Sequence, residues 1–283
     1  EKRIFLPLLL YVLKISKEPN VKIAVSGATG RMGKLIIEAV INSDDLKLIA
    51  AVTASGVAEI GTDAGASLGK NTGVVITDDV QELAKVDVLI DFTRPQATLA
   101  YLPFCIEHNV GIVIGTTGFD AQGKAQIAEA AKTIPVVFAP NMSVGVNSVL
   151  KLLEIAGAML SHYDCEIVEM HHKHKVDAPS GTALEMGQRV ALGRGVDFDS
   201  VAVLSREGHT GERPDGAIGF AALRGGDVVG DHTVIFAGPG ERIEISHKSG
   251  SRAGYAQGAV TAARFLKDKS NGLFSMSDVL GFN

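Results

Sequence analysis

The sequence predicts an α/β fold: an N-terminal Rossmann-like, doubly wound parallel sheet, followed by a second α+β domain with a mixed or antiparallel sheet. Three observations predict it. A short apolar run, VKIAVS, ends in a glycine cluster and leads through a helical pattern into a second apolar run at residues 46–53, a strand–turn–helix–strand unit of about 30 residues. Strand-like and helix-like segments then alternate as far as Ala139. After Asn141 the alternation gives way to long helical stretches and turn-rich strands.

In chain order, residues 34–41 carry helical spacing and 74–76 a short strand. Residues 80–84 form a helical turn and 86–92 (VDVLIDF) a strand. A helix over 95–108, a strand over 111–114, a helix over 121–132 and a strand over 135–139 complete the first region. Repeated β–α order implies a parallel sheet with helices on both faces. A long helix is expected over 145–160, then a strand over 165–172 running into a polar cluster, then a helix over 182–192 closed by Gly193. Residues 219–249 read as strands joined by glycine turns, and 243–247 (IEISH) alternates as a half-solvated antiparallel strand does. A last helix over 252–267 is expected to pack near the first domain. The expected division is an extension at 1–20, a dinucleotide-binding domain at 21–142, a substrate-binding domain at 143–251 and a returning C-terminal helix at 252–283.

Composition narrows the function classes. The formal net charge of −5 argues against a nucleic-acid protein, which carries a basic face. With no Trp and 5% aromatics, the core must be built from Ala, Val, Ile and Leu. The two cysteines, Cys105 and Cys165, have no metal or redox spacing and read as buried thiols of a reducing cytosol. Residues 4–15 are apolar but fall short of the about 20 residues a membrane span needs, and no signal cleavage site is evident. Neither nucleic acid nor membrane is therefore expected as a partner.

Gly27-Ala28-Thr29-Gly30-Arg31-Met32-Gly33 lies between strand and helix, where glycines allow a tight turn, a close pyrophosphate and close helix packing. The helix start offers free N–H groups to phosphate. Thr53, at the end of the second strand, stands where an acidic residue commonly holds the adenosine ribose, so the sequence leaves NADPH or NADH open. Arg31 is the nearest cation for a 2′-phosphate. Gly115-Thr116-Thr117-Gly118 and Ala139-Pro140-Asn141-Met142 follow strands, at the carboxyl ends where ligands bind.

The densest chemistry is Glu169-Met170-His171-His172-Lys173-His174-Lys175. Histidine exchanges protons near neutral pH, and lysine donates a proton or pairs with carboxylate. A metal could be held if His172 and His174 shared a strand face, but two lysines disfavour a cation. A solvated basic surface is a second reading, and an anion-binding catalytic site is the favoured one. Thr182-Ala183-Leu184-Glu185 has capping-box form, which puts a helix start, and an anion site, at Gly181 and Thr182. Cations before a helix start suit a ligand with two anionic ends, such as a small dicarboxylate.

These segments, with residues 91–95 (DFTRP), 141–147 (NMSVGVN) and 205–213 (SREGHTGER), resemble the 4-hydroxy-tetrahydrodipicolinate reductase family, in the family's order and over essentially residues 21–280. The resemblance implies a homotetramer built through the second domain's sheet, a cytoplasmic enzyme of lysine biosynthesis, and hydride delivery from NADH or NADPH to a cyclic dicarboxylate. It makes His171 the general acid/base and Lys175 the proton donor. It has His172 touch the substrate and Gly181 and Thr182 bind a carboxylate. It lines the cofactor with Gly27, Ala28, Thr29, Gly30, Arg31 and Met32, with Gly115, Thr116 and Thr117, and with Ala139, Pro140, Asn141 and Met142. The departure is at Thr53 and Ala54, where many members carry an acidic residue and an arginine. Two rivals remain: a semialdehyde dehydrogenase, which needs a nucleophilic cysteine, and a nucleotide-sensing protein that has lost its chemistry.

Overall fold

The computed structural model describes residues 21–282; the reading of residues 1–20 as an extension lies outside them. Two compact units form. One holds the residues up to Val137 with Ala262–Leu273, the other Phe138–Thr261 with the chain from Phe274 onward.

The first unit is built on β1 (Val21–Ser26), β2 (Leu46–Val52), β3 (Ile76–Thr77), β4 (Val88–Asp91), β5 (Gly111–Ile114), β6 (Pro135–Phe138) and a late strand, β12 (Gly272–Phe274). Their order is β12-β6-β5-β4-β1-β2-β3. β1 pairs in parallel with β2 and β4, β2 with β3, and β4 with β5. The strands read as continuous apolar runs because both faces are covered: Ile23, Val25, Leu89, Ile90, Ile112 and Val113 are all fully buried. Helix Arg31–Ile41 buries Ile36, Ile37 and Val40. Helix Pro95–His108 starts with Pro95 in its first turn and ends at Asn109 in the left-handed region. From the C-terminal segment, Arg264 forks onto Asp45 at 2.6 and 2.8 Å, and the Gly272 amide donates to the Ala131 carbonyl.

β12 is not foreseen in the sequence: three residues are too few for any periodicity. The short strand expected at 74–76 forms two residues, Ile76–Thr77, because the Asp63–Val75 bridge and the Asp63 side chain hold 72–75 in a turn.

The second unit holds β7 (Asp164–His171), β8 (Ala202–Val203), β9 (Ile218–Arg224), β10 (Gly230–Gly238) and β11 (Glu241–Ser249), in the order β11-β10-β7-β9-β8. β10 is antiparallel to β7 and β11, while β9 is parallel to β7 and β8, so the sheet is mixed. Helices Val144–Met159 and Gly181–Arg194 join the sheet's inner side in one core, with Val146, Leu150, Leu153, Met186 and Val190 against Ile167, Phe220, Val234 and Phe236.

Two helix-end expectations are corrected. Helix Gly181–Arg194 is capped by Ser180, not begun by Thr182. Ser180 is extended and its Oγ accepts from the Ala183 amide at 3.2 Å, which leaves Thr182 inside the first turn. Gly193 does not close the helix. A Cβ there would stand 2.0 Å from the Glu154 carbonyl of the neighbouring helix, so glycine permits the helix crossing. The left-handed cap is Gly195, at φ 69°.

Gly193→Ala is accordingly expected to lower the thermal midpoint through an overpacking cost of about 1–3 kcal/mol. An unchanged midpoint in calorimetry would show that the two helices do not cross this closely.

Candidate active site

In the first unit the glycine turn is shaped by excluded volume. Gly27 lies at φ 61°, and a Cβ on Gly33 would stand 2.1 Å from the Gly27 carbonyl. The Gly30 amide donates to that carbonyl at 2.8 Å and the Ala28 amide to Val52. Gly30 caps helix Arg31–Ile41 without any side-chain acceptor, whereas Ser143, Ser180 and Asp120 cap theirs with one. Among the described residues no side chain caps its first amides, which leaves the place an incoming phosphate would take, and the turn fits a dinucleotide pyrophosphate. Thr29 and Thr53 share a hydroxyl hydrogen bond at 3.0 Å, so the turn and the end of β2 meet. Ala28 is buried, Met32 half-buried, and Gly30 and Arg31 exposed.

Behind the turn lies a buried carboxylate, Asp91, at the end of β4. It accepts hydroxyls from Ser26, Thr93 (2.7 Å), Thr98 and Thr116 (3.0 Å), and Thr116 Oγ1 in turn accepts the Thr93 amide at 2.8 Å. The Thr116 hydroxyl is thus committed to the fold, and Gly115 packs on the Phe92 ring, where a Cβ would come within 2.2 Å; Thr117 is exposed.

Ala139, Pro140, Asn141 and Met142 fall in the second unit. Asn141 accepts the Ser143 amide on Oδ1 at 2.9 Å, and the Asn147 side chain donates to its carbonyl. Met142 is buried; a Cβ on Gly258 would stand 1.6 Å from its carbonyl.

β7 carries the chemistry of the second unit. Its burial alternates strictly, so Cys165, Ile167, Glu169 and His171 share the inner face. Glu169, 1% exposed, is the centre of a network. Its Oε2 meets His171 Nδ1 at 2.6 Å. Arg224, from β9, forks onto both oxygens at 2.8 and 2.9 Å, and the Ser180 amide donates to Oε1 at 3.2 Å. Burial opposes ionisation of Glu169, but the hydrogen bonds and charge of Arg224 and His171 outweigh it and hold the carboxyl below its usual range. Across the sheet, His232 stacks edge-on to His171 at 5.1 Å, and its Nε2 pairs with Ser180 Oγ at 3.1 Å. Burial and the neighbouring His171 push His232 down to about 4.

After His171 the chain turns. The Lys175 amide donates to the His172 carbonyl, and Lys175 Nζ pairs with Asp177 at 2.8 and 2.9 Å, which keeps the Asp177 carboxyl below its usual range. The strand face that His172 and His174 were to share does not form, because β7 ends at His171; their rings stand 6.2 Å apart at 44°. Gly181 is exposed and Thr182 half-buried at the helix start, directly after Ser180. The fold therefore gathers His171 and the amide that precedes Gly181 onto one carboxylate. Sequence reasoning assigned no role to Glu169, Arg224, Ser180 or His232. Glu169 could have been found by its i, i+2 spacing from His171; the other three depend on strand register.

A parallel-sheet unit with a glycine turn suited to a dinucleotide, joined to a separate α+β unit that holds a buried histidine–carboxylate pair, is the architecture of a two-domain NAD(P)-dependent oxidoreductase. Comparison with known proteins narrows this. Residues 21–142 match the family model of the dihydrodipicolinate reductase N-terminus and residues 145–280 that of its C-terminus. A 4-hydroxy-tetrahydrodipicolinate reductase of Polynucleobacter necessarius is 59% identical over 92% of this chain and 98% of its own, and one of Cupriavidus metallidurans 60% identical over 92% and 99%. The chain belongs to the dihydrodipicolinate reductase family. Among solved structures, a dipicolinate-bound dihydrodipicolinate reductase from Paenisporosarcina sp. shares the fold, with a TM-score of 0.72 at 24% identity over 90% of this chain and 97% of that one. GenD2 of gentamicin A biosynthesis, in complex with NAD, does so more distantly, with a TM-score of 0.59 at 14% identity over 94% of this chain and 91% of that one. No helix among the described residues is long and apolar enough to cross a membrane.

The depressed His232 has a consequence for stability. Its folded value, about 4, lies below the unfolded 6.5, so its contribution is intact above pH 6.5 and is lost progressively as pH falls toward 4. The loss is on the order of 3 kcal/mol at its limit. Urea unfolding of wild type and His232→Gln between pH 7 and 4 is expected to show a shallower pH dependence in the variant; parallel curves would contradict this.

Proposed function

We propose that this chain reduces 4-hydroxy-tetrahydrodipicolinate to tetrahydrodipicolinate with NADPH or NADH, in the cytoplasm, on the diaminopimelate route to lysine. The reading is carried by one observation: His171, the expected acid/base, and the Ser180 amide just before the expected carboxylate site are tied to the same buried Glu169. Gly27, Gly30, Arg31 and Thr53 would hold the dinucleotide. When bound, its reduced nicotinamide supplies the hydride.

In this reading one substrate carboxylate accepts the amides of Gly181 and Thr182, a helix start where no side chain crowds Gly181. Lys175, on exchanging Asp177 for the substrate, supplies a proton to the ring, and His171 exchanges a proton through Nε2. His172 Nδ1, buried without a hydrogen-bond partner among the described residues, suits a group that touches the ligand. The net change adds a hydride and a proton to the ring and releases water and the oxidised nucleotide.

The semialdehyde dehydrogenase alternative fares worse. Cys105 and Cys165 are both buried, and burial pushes each thiol up to about 12, so neither offers a thiolate. The homotetramer that the resemblance implies has a candidate surface in the outer face of the second sheet, where Leu223 is half exposed and Val168, Met170 and Ile235 are partly so.

Lys175→Ala is expected to lower kcat by about 10²-fold or more while dinucleotide affinity is retained. Full turnover in that variant would reject the assignment. Because Thr53-Ala54-Ser55, directly after β2, carries no carboxylate to repel a 2′-phosphate, NADPH should serve at least as well as NADH in steady-state kcat/KM. A strong preference for NADH would contradict this account of Thr53.

A further inference from the structure

We infer that Glu169, clamped by Arg224, is the positioning residue that fixes the His171 tautomer and leaves Nε2 as its proton-exchanging nitrogen. The inference rests on the proposed acid/base role of His171 and adds to it the group through which that histidine is controlled.

An imidazole has two nitrogens, and the one that can exchange a proton with a ligand is decided by what the other one holds. Ionised Glu169 can only accept, so Nδ1 must carry hydrogen. The carboxylate has no freedom to turn away. Arg224 grips both oxygens in a planar fork, and the Arg224 guanidinium is itself anchored on the Asp177 carbonyl at 2.7 Å. Among the described residues, Glu169 on its own strand bonds the ring, Arg224 on β9 stands opposite it in register, His232 on β10 packs edge-on to it, and the Lys175 charge is close enough to act on His232. With His232 kept neutral by burial, Glu169 is the group that can serve the ring as counter-charge.

The other edge of the ring is kept open by Gly230. A Cβ there would stand 2.9 Å from His171 Nε2 and 3.4 Å from its Cδ2. Glycine at this point of β10 therefore admits the Nε2 edge, which a side chain there would displace, and the His171 side chain keeps 10% of its surface exposed. In the proton step, the Nε2–H bond breaks as the new bond to hydrogen forms on the acceptor. The imidazolium becomes neutral, its Nδ1–H stays on Glu169, and Nε2 is reprotonated from solvent. The same carboxylate holds the Ser180 amide on its second oxygen, so the imidazole and the helix start at Gly181 keep one geometry.

The test compares wild type with Glu169→Gln, Glu169→Asp and Gly230→Ala. In the folded wild type, ¹⁵N-histidine NMR should assign His171 as Nδ1–H with Nε2 free when neutral. In Glu169→Gln the amide NH2 can face Nδ1 and reverse that assignment. There kcat should fall by roughly 10²-fold or more, with dinucleotide affinity within about threefold of wild type. Glu169→Asp should restore the tautomer and part of the rate. Gly230→Ala, which leaves the carboxylate in place, should also lose kcat by displacing the ring. If Glu169→Gln does not fold, the wild-type tautomer and Gly230→Ala decide the matter. Nε2–H with Nδ1 free in wild type, or kcat unchanged in Glu169→Gln or in Gly230→Ala, would overturn the inference. Wild type inactive on the dicarboxylate, with the Nδ1–H tautomer present, would instead reject the proposed reaction and leave the clamp standing.

Discussion

The second unit is organised by one constraint: a carboxylate sits inside a β-sheet and must be neutralised there. Glu169 has 1% of its surface exposed, and a lone buried anion would be prohibitive. Arg224 makes it tolerable. Losing one partner of a fully buried pair costs about 3–5 kcal/mol; the figure is smaller here, since the Arg224 side chain keeps 21% of its surface. The pair needs the parallel register of β7 and β9, which sets His171 opposite Arg224, and the antiparallel register of β10, which sets His232 opposite Glu169. A one-residue slip in either would turn the carboxylate to the other face.

The two units solve different problems with the same device, the missing Cβ. In the first, Gly27 and Gly33 let backbone fold against backbone, and helix Arg31–Ile41 starts with no side-chain cap among the described residues. In the second, Gly193 and Gly157 let two helices cross closely, which holds helix Gly181–Arg194 in place over the sheet, and Gly230 spares the edge of a histidine ring. Precision at both candidate sites comes from rigid strands and helix starts rather than from long loops. Asp91 plays for the first sheet the part that Glu169 plays for the second. It has hydroxyls in place of a guanidinium, and joins the ends of β1, β4 and β5.

Much of this was legible in the sequence. Continuous apolar runs announced the covered parallel strands, and the glycine cluster announced the turn, since both signals are local. The candidate site at His171 and Lys175 is marked in the sequence by an unusual density of His and Lys. Sequence alone does not separate Ser180 from Thr182 as the cap, because both residues can cap and the choice rests on which one the chain leaves extended. Gly193 resembles a terminator because a glycine that admits a neighbouring helix looks the same in sequence as one that ends its own. Arg224 and His232 lie 55 and 63 positions from Glu169, and only the register of the sheet brings them together. The shared strand face of His172 and His174 failed for the converse reason: alternation was extended past the residue where β7 stops.

The most direct test of the account is a crystal structure of this protein with pyridine-2,6-dicarboxylate and oxidised dinucleotide bound. The account predicts one ligand carboxylate on the amides of Gly181 and Thr182, and His171 Nε2 turned to the ligand while Nδ1 remains on Glu169. A ligand seated elsewhere in the second unit, or an imidazole released from Glu169 in the complex, would contradict it.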